Sequence, residues 1–146
     1  SSSGQFVAFT SLATTLAPTV GGSGTQIFLR DTQTNATTLV SQDTIGNAGN
    51  GSSSEPSISS SGQFVAFTSL ATTLVPTVGG TQIFSRNTQA NTTSLVSQTA
   101  IGGSAGNGVS SQPSISAAGG FVAFSSSSTN LGVAGGGSQV YVRALP

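Results

Sequence analysis

The chain is 146 residues long, and Ser, Thr and Gly together supply 67 of them, whereas only six side chains are charged. The formal net charge is zero, and the sequence contains no His, Cys or Lys. This inventory excludes disulfides and thiolate metal sites. It also argues against nucleic acid as a partner, because phosphate binding needs a basic surface.

The hydrophobic residues make up 35% of the chain and come in short, regular clusters, which is unlike a disordered tract. Uninterrupted apolar runs reach only four residues, as at residues 6–9, whereas crossing a bilayer takes roughly 20. We therefore expect a folded chain without a membrane span.

A tandem repeat organises the sequence from its first residue. The segment SSSGQFVAFTSLATTL at residues 1–16 recurs without change at residues 59–74, and a weaker copy, SAAGGFVAFSSSSTNL, occupies residues 116–131. The starts of these segments lie 58 and 57 residues apart. A fixed period of this size is typical of propellers and other repeat folds.

Each full unit holds four short β-type runs, in the order PSIS, FVAF, QIF-x-R and LVSQ, separated by Gly, Ser, Asn and Pro. The first and second runs are joined by tight turns, in which Gly4, Gly62 and Gly119 should adopt positive φ. Asn35 and Asn91 lie at the tips between the third and fourth runs, where left-handed backbone is tolerated. The long connection at residues 12–25 should project from one rim and offer a contact surface.

The FVAF run places Phe6 and Ala8 on one side of a strand and Val7 and Phe9 on the other. Both sides are therefore apolar and need cover. A propeller meets this need because each blade is sandwiched between two neighbours. No segment shows an apolar stripe of helical period. The sequence thus predicts an all-β fold of tandem four-stranded antiparallel β-propeller blades.

The single repeat region 1–146 divides into blade units 1–55, 56–112 and 113–146, of which the first lacks its first strand and the last lacks its fourth. About two and a half repeats make an incomplete ring, since propellers close with 4 to 8 blades. Two copies in one ring, an open head-to-tail filament, or a longer protein would each cover the exposed blade faces and strand edges.

The unit PSISSSGQFVAFTS followed by TQIFSRNTQANTTSLVSQ resembles the TolB-like (WD40-like) propeller repeats of many secreted and envelope proteins of bacteria and archaea. The resemblance covers essentially the whole chain. It implies a scaffold for protein or ligand contact, sometimes attached to a peptidase domain. Where the family often has Asp before the hairpin Gly, this chain has Ser3, Ser61 and Ala118, so we expect no metal ion. We also expect no cofactor.

Three arginines at equivalent positions form the first candidate site. Arg30, Arg86 and Arg143 end the third run of each unit, so in a propeller they would form an arc at similar radius and height. Such an arc could bind carboxylates or acidic glycans. The interpretation we favour is that each Arg caps nearby carbonyls or pairs with one of the few acids.

Three N-x-S/T patterns, at Asn35, Asn50 and Asn91, are candidate glycosylation sites. The competing interpretation is that Asn serves as a turn residue, in a chain so rich in Ser and Thr that the pattern arises by chance. Sugars at these positions would face solvent on hairpin tips and loops.

Catalytic groups are nearly absent. There is no His, and Asp31, Asp43 and Glu55 stand at non-equivalent positions, so no general base or paired carboxylate is indicated. We expect no enzymatic activity. The leading hypothesis is a self-assembling structural module, a subunit of a ring or filament that is extracellular or belongs to the cell envelope. The alternatives are a glycan- or protein-binding fragment of a larger surface propeller and an accessory propeller of a peptidase or hydrolase.

Overall fold

The computed structural model describes residues 1–17, 22–76, 79–101, 103–132 and 137–146. These residues form ten β-strands and no helix. In chain order the strands are β1 (Phe6–Ser11), β2 (Gln26–Asp31), β3 (Ala36–Leu39), β4 (Ser53–Ile58), β5 (Phe64–Ser69), β6 (Gln82–Asn87), β7 (Thr92–Leu95), β8 (Ser110–Ile115), β9 (Phe121–Ser126) and β10 (Gln139–Ala144). Part of the long connection predicted to carry contacts, residues 18–21 and its counterparts 77–78 and 133–136, lies outside the described residues.

The strands pair antiparallel into three sheets with the orders β1-β2-β3, β4-β5-β6-β7 and β8-β9-β10. We call these sheets the first, middle and third blades. The middle blade has the four-stranded up-and-down order of a propeller blade, and the ring is not closed. The predicted all-β fold with an incomplete ring is confirmed. Over the described ranges there is no helix long and apolar enough to cross a membrane.

The first strand of a blade begins earlier than the PSIS run that predicted it. β4 starts at Ser53 and β8 at Ser110, where buried serine hydroxyls bond across the ladder to Ser69 and Ser126, each at 2.9 Å. A bulge then shifts the register between Ser54 and Ser57. The residue that takes up the shift, Glu55, has a φ of 53°. The serine pairs therefore extend the sheet beyond its apolar part.

The fourth strand ends earlier than the LVSQ run suggests, so its predicted bounds are wrong. β3 stops at Leu39 and β7 at Leu95. The regular ladder breaks at this point, because the amides of Val40 and Ser41 both donate to the carbonyl of Ile27 on β2. The Ser41 hydroxyl then accepts a 2.9 Å bond from the Ile27 amide.

The turn predictions are confirmed. Gly4, Gly62 and Gly119 have φ values of 73°, 77° and 77°, and the tip residues Asn35 and Asn91 have 58° and 54°. These conformations are open to glycine and tolerated by asparagine. The hairpins are thus encoded by single residues at fixed places in the repeat.

Two hydrophobic clusters lie between blades, and a third, of Ala17, Phe28 and Leu39, lies on the first blade alone. One cluster joins Ile27, Leu29 and Val40 of the first blade to Val65, Phe67, Ala71, Leu74, Phe84 and Leu95 of the middle blade. A second joins Ala66, Ile83 and Val96 of the middle blade to Val122, Phe124, Leu131 and Tyr141 of the third. Both sides of the middle blade are therefore covered, as the doubly apolar FVAF run requires.

One inter-blade contact can be isolated by a pair of matched glycine variants. A Cβ added to Gly62 would collide with the ring of Phe6, whereas one added to Gly4 would meet nothing within 4 Å. Both glycines have nearly the same positive φ. Gly4→Ala should therefore lower the free energy of unfolding by about 1 kcal/mol, the cost of the left-handed backbone.

Gly62→Ala should cost about 1 to 3 kcal/mol more than Gly4→Ala, because the packed aromatic ring has to move. Urea unfolding of both variants at a dilute protein concentration measures the difference. Equal losses would contradict the close packing of Phe6 on the middle blade.

Candidate functional site

The predicted arginines do occupy equivalent places, and each is held by its own sheet or loop. Arg86 donates through Nη1 to Thr93 Oγ1 at 3.0 Å and through Nη2 to Asn91 Oδ1 at 3.2 Å. Arg30 makes the same two bonds, to Thr37 at 3.0 Å and to Asn35 at 2.7 Å. The Arg side chain thus fastens the hairpin between the third and fourth strands.

The same arginines also reach back to the preceding blade. Arg86 Nη1 donates to the Asp43 carbonyl at 3.0 Å, and Arg143 Nε donates to the Gln98 carbonyl at 3.3 Å. Both acceptors lie in the loop that follows the fourth strand of the blade before. For Arg30 this chain supplies no preceding blade.

Arg86, which contacts a preceding blade, is more deeply buried than Arg30, which does not. Arg86 is 2% exposed, whereas Arg30 is only half-buried. Burial lowers the pKa of Arg86, and the nearby charge of Asp43 partly offsets that effect. An anion approaching Arg86 would have to replace internal acceptors, so the carbonyl-capping interpretation fits the geometry better. An anion-binding role for the row stays a prediction.

The carboxylates of the acidic residues accept hydrogen bonds within turns and between blades. Partial desolvation would raise the pKa of Asp43, but bonds from the backbone and side chain of Asn47 and from the Ile45 amide outweigh it and lower the pKa. Glu55 Oε2 accepts from Thr68 Oγ1 at 2.7 Å and from the Gln112 amide at 2.8 Å, which ties the middle blade to the third. In the part of the chain that the structure describes, no three metal-ligating side chains come together.

The three candidate glycosylation sites are exposed, in two different settings. Asn35 and Asn91 stand on hairpin tips, where Oδ1 accepts the Arg bond and Nδ2, the atom a sugar would join, is not used by it. Asn50 instead uses its Nδ2 to bond Thr72 Oγ1 at 2.9 Å across a joint. Glycosylation itself stays a prediction at all three positions.

The sequence analysis did not single out the buried glutamine at the start of the third strand of a blade. Gln82, 1% exposed, donates through Nε2 to the Gly106 carbonyl at 2.7 Å and accepts at Oε1 a 2.6 Å bond from the Ser97 hydroxyl. Gln26 repeats this with Gly49 and Ser41. Each Gln fixes the connection between one blade and the next. The signal was present as a repeated Gln before the third apolar run.

A groove lies between the carboxyl end of β10 and the middle blade. It has a volume of about 370 Å³ and is lined by β7 and by the end of the chain, including Leu95, Val96, Leu145 and Pro146. The third blade has no fourth strand among its described residues, so the β10 edge is open to an added strand.

The outer sides of the first and third blades expose apolar side chains whose equivalents between blades are buried. Val140 and Val142 are 75% and 58% exposed, although the equivalent Ile27 and Leu29 are 0% and 6% exposed. Phe121 is 56% exposed. We call these three residues of the third blade the tail face.

The opposite end of the stack is also open. Val7 and Leu16 are 46% and 37% exposed, against 0% and 2% for the equivalent Val65 and Leu74. Together with Gly4 they form what we call the head face of the first blade. Four apolar repeat positions, those of Val7, Leu16, Val140 and Val142, are thus buried between blades and exposed at the ends of the stack, whereas Phe28 and Leu39 of the first blade are buried against Ala17.

Comparison with known proteins identifies the fold. No family model and no curated protein matches the sequence. TolB from Acinetobacter baumannii superposes with a TM-score of 0.55 and 18% identity, over 94% of this chain and 26% of that one. The chain has the fold of part of a TolB-like propeller.

A putative TolB from Agrobacterium tumefaciens gives a TM-score of 0.56 at 15% identity, over 100% of this chain and 57% of that one. At these identities the likeness to TolB concerns the fold alone. The chain spans about a quarter of the first TolB chain and just over half of the second.

Arg86 and Arg30 offer a matched test of the inter-blade bond. Arg86→Met should lower the free energy of unfolding by about 3 kcal/mol, because it leaves buried acceptors without their charged donor. Arg30→Met removes the same hairpin bonds at a more exposed site and should cost less than about 1 kcal/mol. Urea unfolding compares them, and similar losses would contradict a special role for the contact with Asp43.

Proposed function

We propose that this chain is a non-catalytic structural module that self-associates through its head and tail faces. The observation that carries the proposal is the exposure of four apolar residues at the two ends of the stack, at repeat positions that are buried in both internal joints: Val7, Leu16, Val140 and Val142. Large apolar side chains grouped on one face mark an interaction surface. A second surface of the same kind can cover them.

The charge of the chain supports association between copies. The formal net charge is zero, so no long-range repulsion keeps copies apart. The tail-face valines project from a strand that carries Arg143 as its only charge. Desolvating this face therefore costs little beyond ordering its side chains.

The catalytic inventory supports a role without chemistry. General acid-base catalysis needs a His or suitably paired carboxylates. The sequence has no His, and its three acids are each bonded into turns or joints. We further propose that the module acts outside the cell or in the envelope, where the propeller repeats that it resembles are found.

The tail face provides the test. The double variant Val140→Asp/Val142→Asp should weaken association by roughly 100-fold or more, because burying each valine contributes about 1.5 kcal/mol or more. The control is Ile45→Asp/Ile101→Asp, two apolar residues that are 83% and 92% exposed in the loops after β3 and β7 and belong to neither face. Light scattering over a concentration series measures the mass of all three proteins. A wild-type chain that stays monomeric throughout would overturn the proposal.

The outer edge of β10, which pairs with no strand among the described residues, favours a second function, the binding of an extended protein segment. β3 and the two residues after it show what such a segment would offer, because Thr37 bonds Arg30 and Ser41 bonds both Gln26 and the Ile27 amide. In the third blade the equivalents of the last two are Gln139 and Val140, whose strand has no outer neighbour among the described residues. A strand with the Thr-x-Leu-Val-Ser pattern would match this edge by β-augmentation.

A peptide with the sequence of residues 91–98, NTTSLVSQ, tests that second function. It should bind the chain in fluorescence anisotropy, and Val140→Pro should abolish binding because proline removes the outward amide donor of an edge strand. Val140→Ala keeps that donor and is the control. Binding that survives Val140→Pro would place the peptide elsewhere.

A further inference from the structure

We infer that the self-association is polar, with the tail face of one copy packed on the head face of the next in the geometry of the internal joints. This inference rests on the proposed function and adds the orientation of the copies and the residues that meet. The two joints inside the chain serve as its template.

The head face is a second copy of a surface that the chain already buries. Residues 1–16 are identical to residues 59–74, and in the first joint the latter pack on the first blade. Val65 and Leu74 are the members of that segment whose counterparts, Val7 and Leu16, are bare. The head face thus presents side chains that fit the side of a blade that, inside the chain, packs against the following blade.

The tail face is the side of the third blade that would pack against a following blade. In the first joint the ring of Phe6 lies where a Cβ of Gly62 would be, and in the second the ring of Phe64 lies likewise against Gly119. The series continues with Phe121, which is 56% exposed, and the space over Gly4 is empty within 4 Å. Each chain therefore has one Phe ring, that of Phe121, that packs on no glycine, and one glycine, Gly4, on which no Phe ring packs.

Backbone bonds repeat with the same polarity. The Ser2 amide donates to the Ser60 carbonyl at 3.3 Å, and the Ser60 amide donates to the Ala117 carbonyl at 2.9 Å. The next bond in the series runs from the Ala117 amide to the Ser2 carbonyl of another copy. Contact between two head faces would set glycine against glycine and leave Phe121 uncovered, so the polar arrangement satisfies both ends.

The joint between copies is smaller than a joint inside the chain. Among the described residues the third blade lacks an outer strand and the first lacks an inner strand, and Phe28 and Leu39 of the first blade already pack with Ala17. We therefore expect reversible association. Because a head-to-tail contact leaves one free face at each end, assembly continues until a ring closes or a filament forms.

Two variants, each with one face blocked, test the polarity. Val7→Asp blocks the head face, and Val140→Asp/Val142→Asp blocks the tail face. Each variant alone should remain monomeric in sedimentation velocity, whereas an equimolar mixture should form dimers and nothing larger, because only one compatible pair of faces remains. The wild-type chain should form larger species under the same conditions.

The other outcomes separate the two claims. A wild-type chain that assembles while the mixture stays monomeric overturns the polar joint and leaves self-association standing. Dimers of either blocked variant alone also overturn it, because they show contact between like faces. A monomeric wild-type chain overturns both claims. Circular dichroism confirms that the variants are folded.

Disulfide cross-linking is a second test and needs no Asp substitution in either face. The chain has no cysteine of its own, so only the introduced cysteines can react. Mixing Ser2→Cys chains with Ala117→Cys chains under mild oxidation should give a covalent dimer that neither variant forms alone. The control is Ser60→Cys/Ala117→Cys, an equivalent pair within one chain that should close at any concentration. Closure of the control without any dimer from the mixture overturns the polar joint.

Discussion

Sheets that are apolar on both sides have to be covered on both sides, and this requirement organises the molecule. In the middle blade Val65 and Ala66 point to opposite neighbours, and both are fully buried. The blades before and after have one neighbouring blade each, so apolar residues such as Val7 and Val140 on their outer sides stay exposed. Burial of apolar area stabilises by about 25 cal/mol per Å², which makes a bare face a source of association.

Polar side chains decide how the blades connect. Gln26 and Gln82 sit inside the joints, with their amides bonded to glycine carbonyls of the linking segments and to serine hydroxyls. No buried side-chain polar atom among the described residues lacks a partner. Buried amides need such partners because an unsatisfied one costs about 1 to 3 kcal/mol. A chain with very few charges thus fixes its blade-to-blade geometry through neutral hydrogen bonds.

The repeat and its apolar runs were enough to predict the blades, because period, double-sided apolarity and turn glycines are local properties of the sequence. The ends of strands were not predictable in the same way. β3 stops at Leu39 because two amides share the Ile27 carbonyl, and β4 starts at Ser53 because its hydroxyl meets Ser69. Both depend on partners distant in sequence. The equivalence of the arginines was visible in the sequence, whereas the burial of Arg86 under the preceding blade was not.

The central claim is that the head and tail faces are what copies of this chain cover. Carbene footprinting with mass spectrometry measures this for each side chain as protein concentration rises. Labelling of Val7, Val140 and Val142 should fall as copies associate, while labelling of the more exposed loop residues Ile45 and Ile101 should stay constant. Labelling of the three valines that stays in constant ratio to these loop residues at every concentration would contradict the account.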